Sequence, residues 1–252
     1  MLKIGIIGGS GLDDPDILKD PKQLDVTTEY GDPSSPLLSG KINDVEIVIL
    51  ARHGRRHRYS PTQVNNRANI KAFQQVGVTH IIATTACGSL KHEIDRGHLV
   101  ILDQFIDFTR FRKNTFADSF ENGLVHPVMA HPFDEGLRKK LYETAKKLDL
   151  NVHEKGCVVT IEGPRFSTIA ESKMFKSWGA DVINMSTAPE AMLANEVAIP
   201  YAAVAMSTDY DCWNENEAPV TWEEILAVFD QNAHNVIKLI VNVIDELKEI
   251  DS

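Results

Sequence analysis

Short runs of β-branched and aliphatic residues, separated by helix-like segments, recur along this chain and constrain its fold more than any other feature. Turn residues bound each run, which is typical of buried strands. The runs are apolar on both faces, so we expect helices to cover both sides of the sheet. The alternation predicts an α/β fold with a largely parallel or mixed sheet, in one domain over residues 1–252. The predicted strands are 2–7, 45–51, 78–86, 98–108, 157–164, 180–186 and 201–207.

Capping residues mark the starts of the predicted helices. Ser60 and Gln63 form a capping-box pattern at the start of a predicted helix over 60–77. Thr221 and Glu224 repeat the pattern and predict a long C-terminal helix. The other predicted helices cover 132–148, 167–179 and 189–199, and the C-terminal helix runs to about 247.

Composition argues against several classes of function. The chain has 36 acidic and 26 basic residues, and its one basic cluster is too short to track a polyanion, so we expect no nucleic-acid partner. No apolar run reaches the roughly 18 residues of a membrane span, and the apolar N-terminus reads as a core strand, not a signal peptide. Three scattered cysteines are typical of free thiols in a reducing compartment. We therefore expect a cytoplasmic protein without a membrane partner.

Small polar or basic residues follow four of the predicted strands. The glycine loop 8–12 can direct backbone amides at an anion, and Arg52 and His53 follow the next strand. Arginine suits phosphate or carboxylate oxygens. Segment 84–90 and segment 184–190 add hydroxyl groups, although a hydroxyl in the latter could instead cap the next helix. Each loop alone could be structural, but sites form beyond strand ends, and together the four predict a site for one phosphate.

Two aspartates, Asp209 and Asp211, follow the last predicted strand, and along an extended backbone they point to the same side. Three interpretations compete for them. They could bind a divalent metal, they could belong to a solvated turn, or they could contact the polar edge of a bound base. A metal site would need more ligands, and His126 and His131 are distant in sequence, so no metal is expected.

Eight motifs, spread over nearly the whole chain, together resemble one family. They are GGSGLDDP, RHGRRH, NNRANI, TTACGSL, DQFIDFT, TIEGPRFST, GADVINMSTAPEAMLA and STDYDCW. In this order they resemble the trimeric purine nucleoside phosphorylases, and within these the 5′-methylthioadenosine phosphorylase branch. The resemblance implies a mixed, barrel-like central sheet flanked by helices, and a homotrimer with sites near subunit interfaces.

The resemblance also implies the role of each site residue. It implies a phosphate site at Ser10, Arg52, His53, Thr85, Ala86 and Ser186. It implies that Met185 lies under the ribose, that Phe166 lies against the purine face, and that Asp209 and Asp211 contact the purine edge. It implies that His126, Ser167, Trp222 and Ile225 surround the 5′ substituent.

The reaction implied is phosphorolysis of S-methyl-5′-thioadenosine to adenine and 5-methylthioribose 1-phosphate, a salvage step. Inorganic phosphate is the co-substrate and no cofactor is expected, because phosphate itself attacks C1′. His53 and its loop hold the phosphate near C1′, Asp209 is the candidate proton donor to N7, and Asp211 can accept from the exocyclic amino group of adenine. Two carboxylates favour a 6-aminopurine, whereas an asparagine would suit a 6-oxopurine better.

Four positions decide how closely the resemblance transfers. Ser10 and Ser186 stand where close relatives often carry threonine, and both keep the hydroxyl. Trp222 is bulkier than the aliphatic residue expected there, which affects the size of the 5′ pocket. Ser167, in place of a glutamate, favours a methylthio group over a 5′-hydroxyl. A phosphorylase for inosine, guanosine or adenosine, a hydrolytic nucleosidase and a non-enzymatic nucleotide-binding protein are the alternatives.

Overall fold

The strands of this chain form one mixed sheet flanked by helices, as the sequence predicts. The computed structural model describes residues 1–8, 17–121, 123, 126–215 and 222–248, and in the last helix it describes the side chains of residues 228 and 232–248. The described strands are β1 (Lys3–Gly8), β2 (Lys19–Leu24), β3 (Leu37–Ile42), β4 (Val45–Ala51), β5 (His80–Ser89), β6 (Leu99–Ile101), β7 (Gln104–Phe108), β8 (Val152–His153), β9 (Cys157–Ile161), β10 (Val182–Asn184) and β11 (Tyr201–Tyr210). The described helices are α1 (Asn66–Gln75), α2 (Glu135–Lys147), α3 (Ile169–Ser177), α4 (Thr187–Glu196) and α5 (Trp222–Leu247).

The sheet branches at the long strand β5. One edge of β5 pairs in parallel with β1 and, further along, antiparallel with β10. The other edge pairs in parallel with β11. From β1 the sheet continues through β4, β3 and β2, from β10 through β9 and β7, and from β11 through β6 and β8. The polar loops that follow these strands are gathered around β5 as a result.

Alternate residues of the central strands enter two different hydrophobic cores. In β1, Ile4 and Ile6 pack into the core that includes α2 and α5, whereas Ile7 packs into the core that includes α1 and α4. These three side chains are fully buried. Because side chains alternate between the faces of a strand, the sheet is buried on both sides, which is why its strands read as continuous apolar runs.

Three predicted boundaries differ from the observed ones. The predicted helix over 60–77 is in fact a 3-10 turn followed by α1, whose first turn is capped by Asn65. The capping box of Ser60 and Gln63 exists, but it belongs to that turn. The predicted strand 98–108 is divided into β6 and β7, which pair with different neighbours. Helix α4 begins two residues before Pro189, a position in the first turn where proline is tolerated.

Some features lie beyond sequence prediction or beyond the described residues. Strands β2 and β3 were not predicted, and β2 is mostly exposed, so it carries no apolar alternation. The predicted cap of α5 at Thr221 lies outside the described residues, although α5 does extend to Leu247 as predicted. Among the helices that the structure describes, none combines the length and apolar character needed to cross a membrane.

Candidate active site

The parallel strands β1, β4 and β5 bring their carboxyl ends to one edge of the sheet. Arg52 follows β4 directly, and its backbone N–H donates to the carbonyl of Gly8, the last residue of β1, at 3.0 Å. The beginning of the glycine loop is therefore attached to the arginine. Ser10 itself lies outside the described residues, so its predicted role stays a prediction.

A small pocket, called the cavity below, lies at this edge. Three of the predicted phosphate-site residues, Arg52, His53 and Ser186, line it together with Met185, which was predicted to lie under the ribose. The structure thus brings together residues from the loop after β4 and the segment before α4. The other lining residues are Pro61, Val64, Asn66 and Arg112.

Arg52 is held by a buried carboxylate. Its Nε and Nη2 donate to the two carboxylate oxygens of Glu190 at 2.5 and 3.0 Å, and its Nη1 donates to the carbonyl of Thr84 at 2.7 Å. Tyr201 also donates to Glu190, at 2.8 Å, and burial followed by the nearby Glu190 charge raises the pKa of that tyrosine. The edge of the Arg52 guanidinium that carries Nε and Nη2 is therefore occupied by Glu190. The guanidinium faces the cavity as an oriented donor and cannot form a bidentate contact with phosphate through that edge.

Hydroxyl groups from β5 and α4 meet at the cavity wall. Thr85 Oγ1 and Ser186 Oγ lie 3.0 Å apart, and Asn184 Nδ2 donates to Thr85 Oγ1 at 3.2 Å. Asn184 Oδ1 accepts from Thr160 at 2.8 Å, so one buried amide joins three strands. The Ser186 hydroxyl does not cap α4, contrary to the alternative considered from the sequence. It bonds Thr85 and lies at a helix N-terminus, which attracts anions.

His53 is a neutral ring whose tautomer is set by its surroundings. Its Nδ1 lies 3.0 Å from the carbonyl oxygen of Tyr59, and because a carbonyl can only accept, Nδ1 carries the proton. Burial, followed by the charge of Arg52, lowers the pKa of His53 to about 4. The backbone N–H of Tyr59 donates back to the carbonyl of His53, which closes this loop.

Gly54 permits this loop, because its φ is +73° and a side chain there would meet the carbonyl of Ser34 at 2.9 Å. The remaining basic residues of the cluster, Arg55, Arg56, His57 and Arg58, are exposed, as the sequence suggests.

A second arginine, Arg112, also lines the cavity and is paired with its own carboxylate. Its Nε donates to Glu162 at 2.8 Å, and only 2% of its side chain is exposed. Burial acts to raise the pKa of Glu162, but hydrogen bonds from Arg110 N–H, Thr62 and Arg112 outweigh it and lower the pKa to about 2. The cavity therefore has two oriented guanidinium groups, each neutralised by a glutamate.

Asp209 and Asp211 lie together around Gly88. A bulge in β11 between Ser207 and Asp209 shifts the register, so that Asp209 pairs with Gly88. A Cβ atom on Gly88 would lie 3.4 Å from the Cβ of Asp211 and 3.5 Å from Oδ2 of Asp209. The absent side chain of Gly88 leaves room for both carboxylates, which confirms the sequence expectation that they share one side.

Each aspartate accepts a hydrogen bond from a hydroxyl group, which orients the carboxylate. Thr208 donates to Oδ1 of Asp209 at 2.7 Å, and Ser167 donates to Oδ2 of Asp211 at 2.6 Å. Asp211 is 8% exposed, and its backbone N–H donates to the carbonyl of Ser89.

Ser167 contacts the carboxylate pair. Its hydroxyl donates to Asp211, at the predicted purine edge, because a nearby carboxylate is a strong acceptor for that hydroxyl. The position beside the 5′ substituent that the resemblance implies stays a prediction.

The other predicted residues are distributed as follows. Ala86 follows Thr85 in β5 and accepts the Thr85 hydroxyl through its carbonyl. Phe166 adjoins Ser167 and is 60% exposed. His126 is exposed, contacts the ring of Phe120, and is not part of the cavity lining among the described residues. The side chains of Trp222 and Ile225 lie outside the described residues.

Sequence reasoning missed the residues that support the site. Arg112 follows β7 as Arg52 follows β4, and that position was an available signal. Glu190 is a carboxylate within an otherwise apolar stretch of α4, which is typical of a partner for a buried cation. Asn184 gave no distinctive signal, since a polar residue at a strand end is common. In the described part of the chain, no group of three or more His, Cys, Asp or Glu side chains could hold a metal ion.

Comparisons with known proteins all indicate the same family. The model of the phosphorylase superfamily matches residues 3–245. The S-methyl-5′-thioadenosine phosphorylase of Xenopus tropicalis is 50% identical, over 99% of this chain and 90% of that protein. The corresponding protein of Anopheles gambiae is also 50% identical, over 99% of this chain and 91% of that protein. The methylthioadenosine phosphorylase of Schistosoma mansoni in complex with adenine has a TM-score of 0.94 at 39% identity, covering 99% of this chain and 93% of that one.

Replacing Glu190 tests the buried ion pair. Glu190→Gln leaves the Arg52 charge buried without its counter-charge, so we expect the free energy of unfolding to fall by roughly 3–5 kcal/mol. The matched control is Glu171→Gln, which removes the charge of a surface pair with Arg165 and should cost below about 1 kcal/mol. Urea denaturation of both variants measures the difference. Equal losses in the two variants would contradict the structural role of Glu190.

Proposed function

Because the chain belongs to the phosphorylase superfamily, and within it to the S-methyl-5′-thioadenosine phosphorylase-like nucleoside phosphorylases, we propose that it cleaves S-methyl-5′-thioadenosine with phosphate. The products are adenine and 5-methylthioribose 1-phosphate. The observation that carries the proposal is the arrangement along β5. Ser186, which lines the cavity, contacts this strand at Thr85, and the carboxylate pair meets the strand at Gly88, three residues later. Three strand residues span roughly 10 Å, which leaves room for a sugar and a base between them.

The cavity supports binding of inorganic phosphate as the co-substrate. Arg52 and Arg112 supply oriented charge, and the start of α4 adds a hydroxyl and the helix dipole. Holding phosphate next to C1′ provides proximity and stabilises charge as the anion attacks. Since phosphate itself is the nucleophile, the chemistry requires no cofactor and no covalent intermediate with the protein.

The carboxylate pair supports departure of adenine. The C1′–N9 bond breaks with its electron pair going to the base, so a proton delivered to N7 makes adenine a better leaving group. Asp209 is the donor in this proposal, and the contact between its Oδ1 and the hydroxyl of Thr208, at 2.7 Å, orients it. Asp211, oriented by Ser167, accepts from the exocyclic amino group through its other oxygen.

The same pair argues against the alternative substrates. Inosine and guanosine present a carbonyl at position 6, and a carboxylate opposite that carbonyl would face a second acceptor. A site that leaves polar groups unpaired discriminates strongly between such bases. The preference for a methylthio group at the 5′ position is supported by the names of the relatives, not by Ser167.

The assembly and place of the enzyme are also proposals. We propose a homotrimer, which is supported by exposed apolar side chains in the segment between β7 and α2. Phe111 is 74%, Phe120 50% and Val128 84% exposed, and a subunit interface would bury them. We propose that the enzyme works in the cytoplasm, where free thiols persist and where a purine and methionine salvage step would use its products.

A base-release assay tests the function. We expect adenine to be released from S-methyl-5′-thioadenosine only when phosphate is present, and inosine to be cleaved more slowly. The assay follows the base by chromatography with the three nucleosides methylthioadenosine, adenosine and inosine. Adenine release that is independent of phosphate would instead identify a hydrolase, and faster cleavage of inosine would overturn the proposed substrate.

Replacing the proposed proton donor tests the mechanism. Asp209→Asn keeps a hydrogen-bond donor at the site but cannot transfer a proton, so we expect kcat for methylthioadenosine to fall by about 10²–10⁴. Asp245→Asn, a change at a half-exposed position in α5, is the control and should leave kcat unchanged. Full activity of the Asp209→Asn enzyme would exclude this carboxylate as donor.

The oligomeric state is testable without substrate. Sedimentation equilibrium should give three times the chain mass of 28.1 kDa. Phe111→Asp and Val128→Asp, which place charge on the exposed segment, should shift the equilibrium towards monomer. A monomeric wild-type protein would contradict the proposed assembly.

A further inference from the structure

His53 lines the anion cavity, and the nitrogen of its neutral ring that is left over is an acceptor, not a donor. Its Nδ1–H is committed to the carbonyl of Tyr59, at 3.0 Å, so the neutral ring has its remaining lone pair on Nε2. The ring lines the same cavity as Arg52 and Arg112. An anion bound in this cavity would contact the guanidinium groups of Arg52 and Arg112 and the lone pair on Nε2 of His53.

Burial and the charges around the ring keep it neutral. Burial has the largest effect in lowering the pKa of His53, and Arg52, His57 and Arg112, all cations or potential cations, lower it further, whereas the hydrogen bond to Tyr59 acts to raise it. His57 stacks on His53 with ring centroids 4.2 Å apart, and its own pKa is lowered by burial and then by Arg52. The carboxylates that could stabilise an imidazolium, Glu190 and Glu162, are occupied by the two arginines.

We propose that Nε2 of His53 accepts the hydrogen of a protonated phosphate oxygen and thereby selects phosphate against fully deprotonated anions of the same shape. Phosphate near neutral pH carries at least one proton, whereas sulfate carries none. For phosphate, the O–H fills the lone pair on Nε2 and turns the charged oxygens towards the arginines. For sulfate, an oxygen lone pair would face the lone pair of the ring, and such an unpaired buried contact is unfavourable.

This inference rests on the proposed function for the identity of the anion and adds a specificity role to His53. The protonation state of His53 should also differ between the phosphate complex and the sulfate complex. Sulfate can bind well only if His53 becomes an imidazolium, which puts a proton on Nε2. Binding of sulfate should therefore take up a proton from solution, and its affinity should rise as the pH falls towards the pKa of the free ring.

The test is isothermal titration of the enzyme with inorganic phosphate and, separately, inorganic sulfate, at about pH 8 and about pH 6, in two buffers that differ in ionisation enthalpy. For the wild type we expect sulfate at about pH 8 to bind at least about tenfold more weakly than phosphate. We expect the sulfate affinity to increase at the lower pH, with proton uptake visible as a buffer-dependent enthalpy.

Two variants assign the effect to one ring. In His53→Gln the side-chain amide can turn either its oxygen or its NH2 group to the anion, so the ratio of phosphate to sulfate affinity should approach one and the proton uptake should disappear. In His57→Gln, which changes the stacked but exposed neighbour, the ratio should stay as in the wild type.

Sulfate binding by the wild type at about pH 8 as tight as phosphate binding would overturn the inference, as would an unchanged ratio in His53→Gln. These outcomes are separate from the base-release assay. If base release needs phosphate while sulfate binds equally well, only the role of His53 fails. If base release does not need phosphate, the proposed function fails whatever the titrations give.

Discussion

Hydrogen bonding along both edges of β5 is the constraint on which the rest of the structure depends. One edge is paired with β1 and then with β10, and the other is paired with β11 over almost its full length. A strand held on both sides cannot change its register without breaking three ladders at once. Thr85 and Gly88 are therefore fixed relative to each other. The distance between the anion cavity and the carboxylate pair is fixed in the same way.

Charge at this site is oriented before any ligand arrives. Arg52 and Arg112 are each held by a glutamate, and the two aspartates are each held by a hydroxyl. Burying such pairs costs desolvation free energy, so they are weak contributors to stability and stronger contributors to geometry. In an enzyme that binds an anion next to a breaking bond, fixed donors avoid reorganisation during the reaction.

Much of the fold and part of the site were predictable from the sequence. The seven apolar runs all contain strands, because a strand buried on both faces needs apolar residues throughout. The place of Arg52 and His53 at the cavity was also predictable, because the loop after β4 lies at the edge where the parallel strands β1, β4 and β5 end. Ser186 reaches the same cavity although β10 runs antiparallel to β5. The bond between Ser167 and Asp211 was not predictable, because a serine bonds whichever acceptor lies near it. Strand β2 was missed, because an exposed strand needs no apolar pattern.

The sequence by itself determined the layered α/β architecture and the residue types that could hold an anion and a base, since apolar periodicity and side-chain chemistry are local properties. Only the tertiary structure decided how those residues act. The bidentate edge of Arg52 goes to Glu190, 138 residues away, and the tautomer of His53 follows from one backbone carbonyl. Asp209 and Asp211 meet around Gly88 because β11 carries a bulge opposite β5. These are pairings between distant segments, and a hydrogen-bond partner is chosen by proximity in space, which no local pattern encodes.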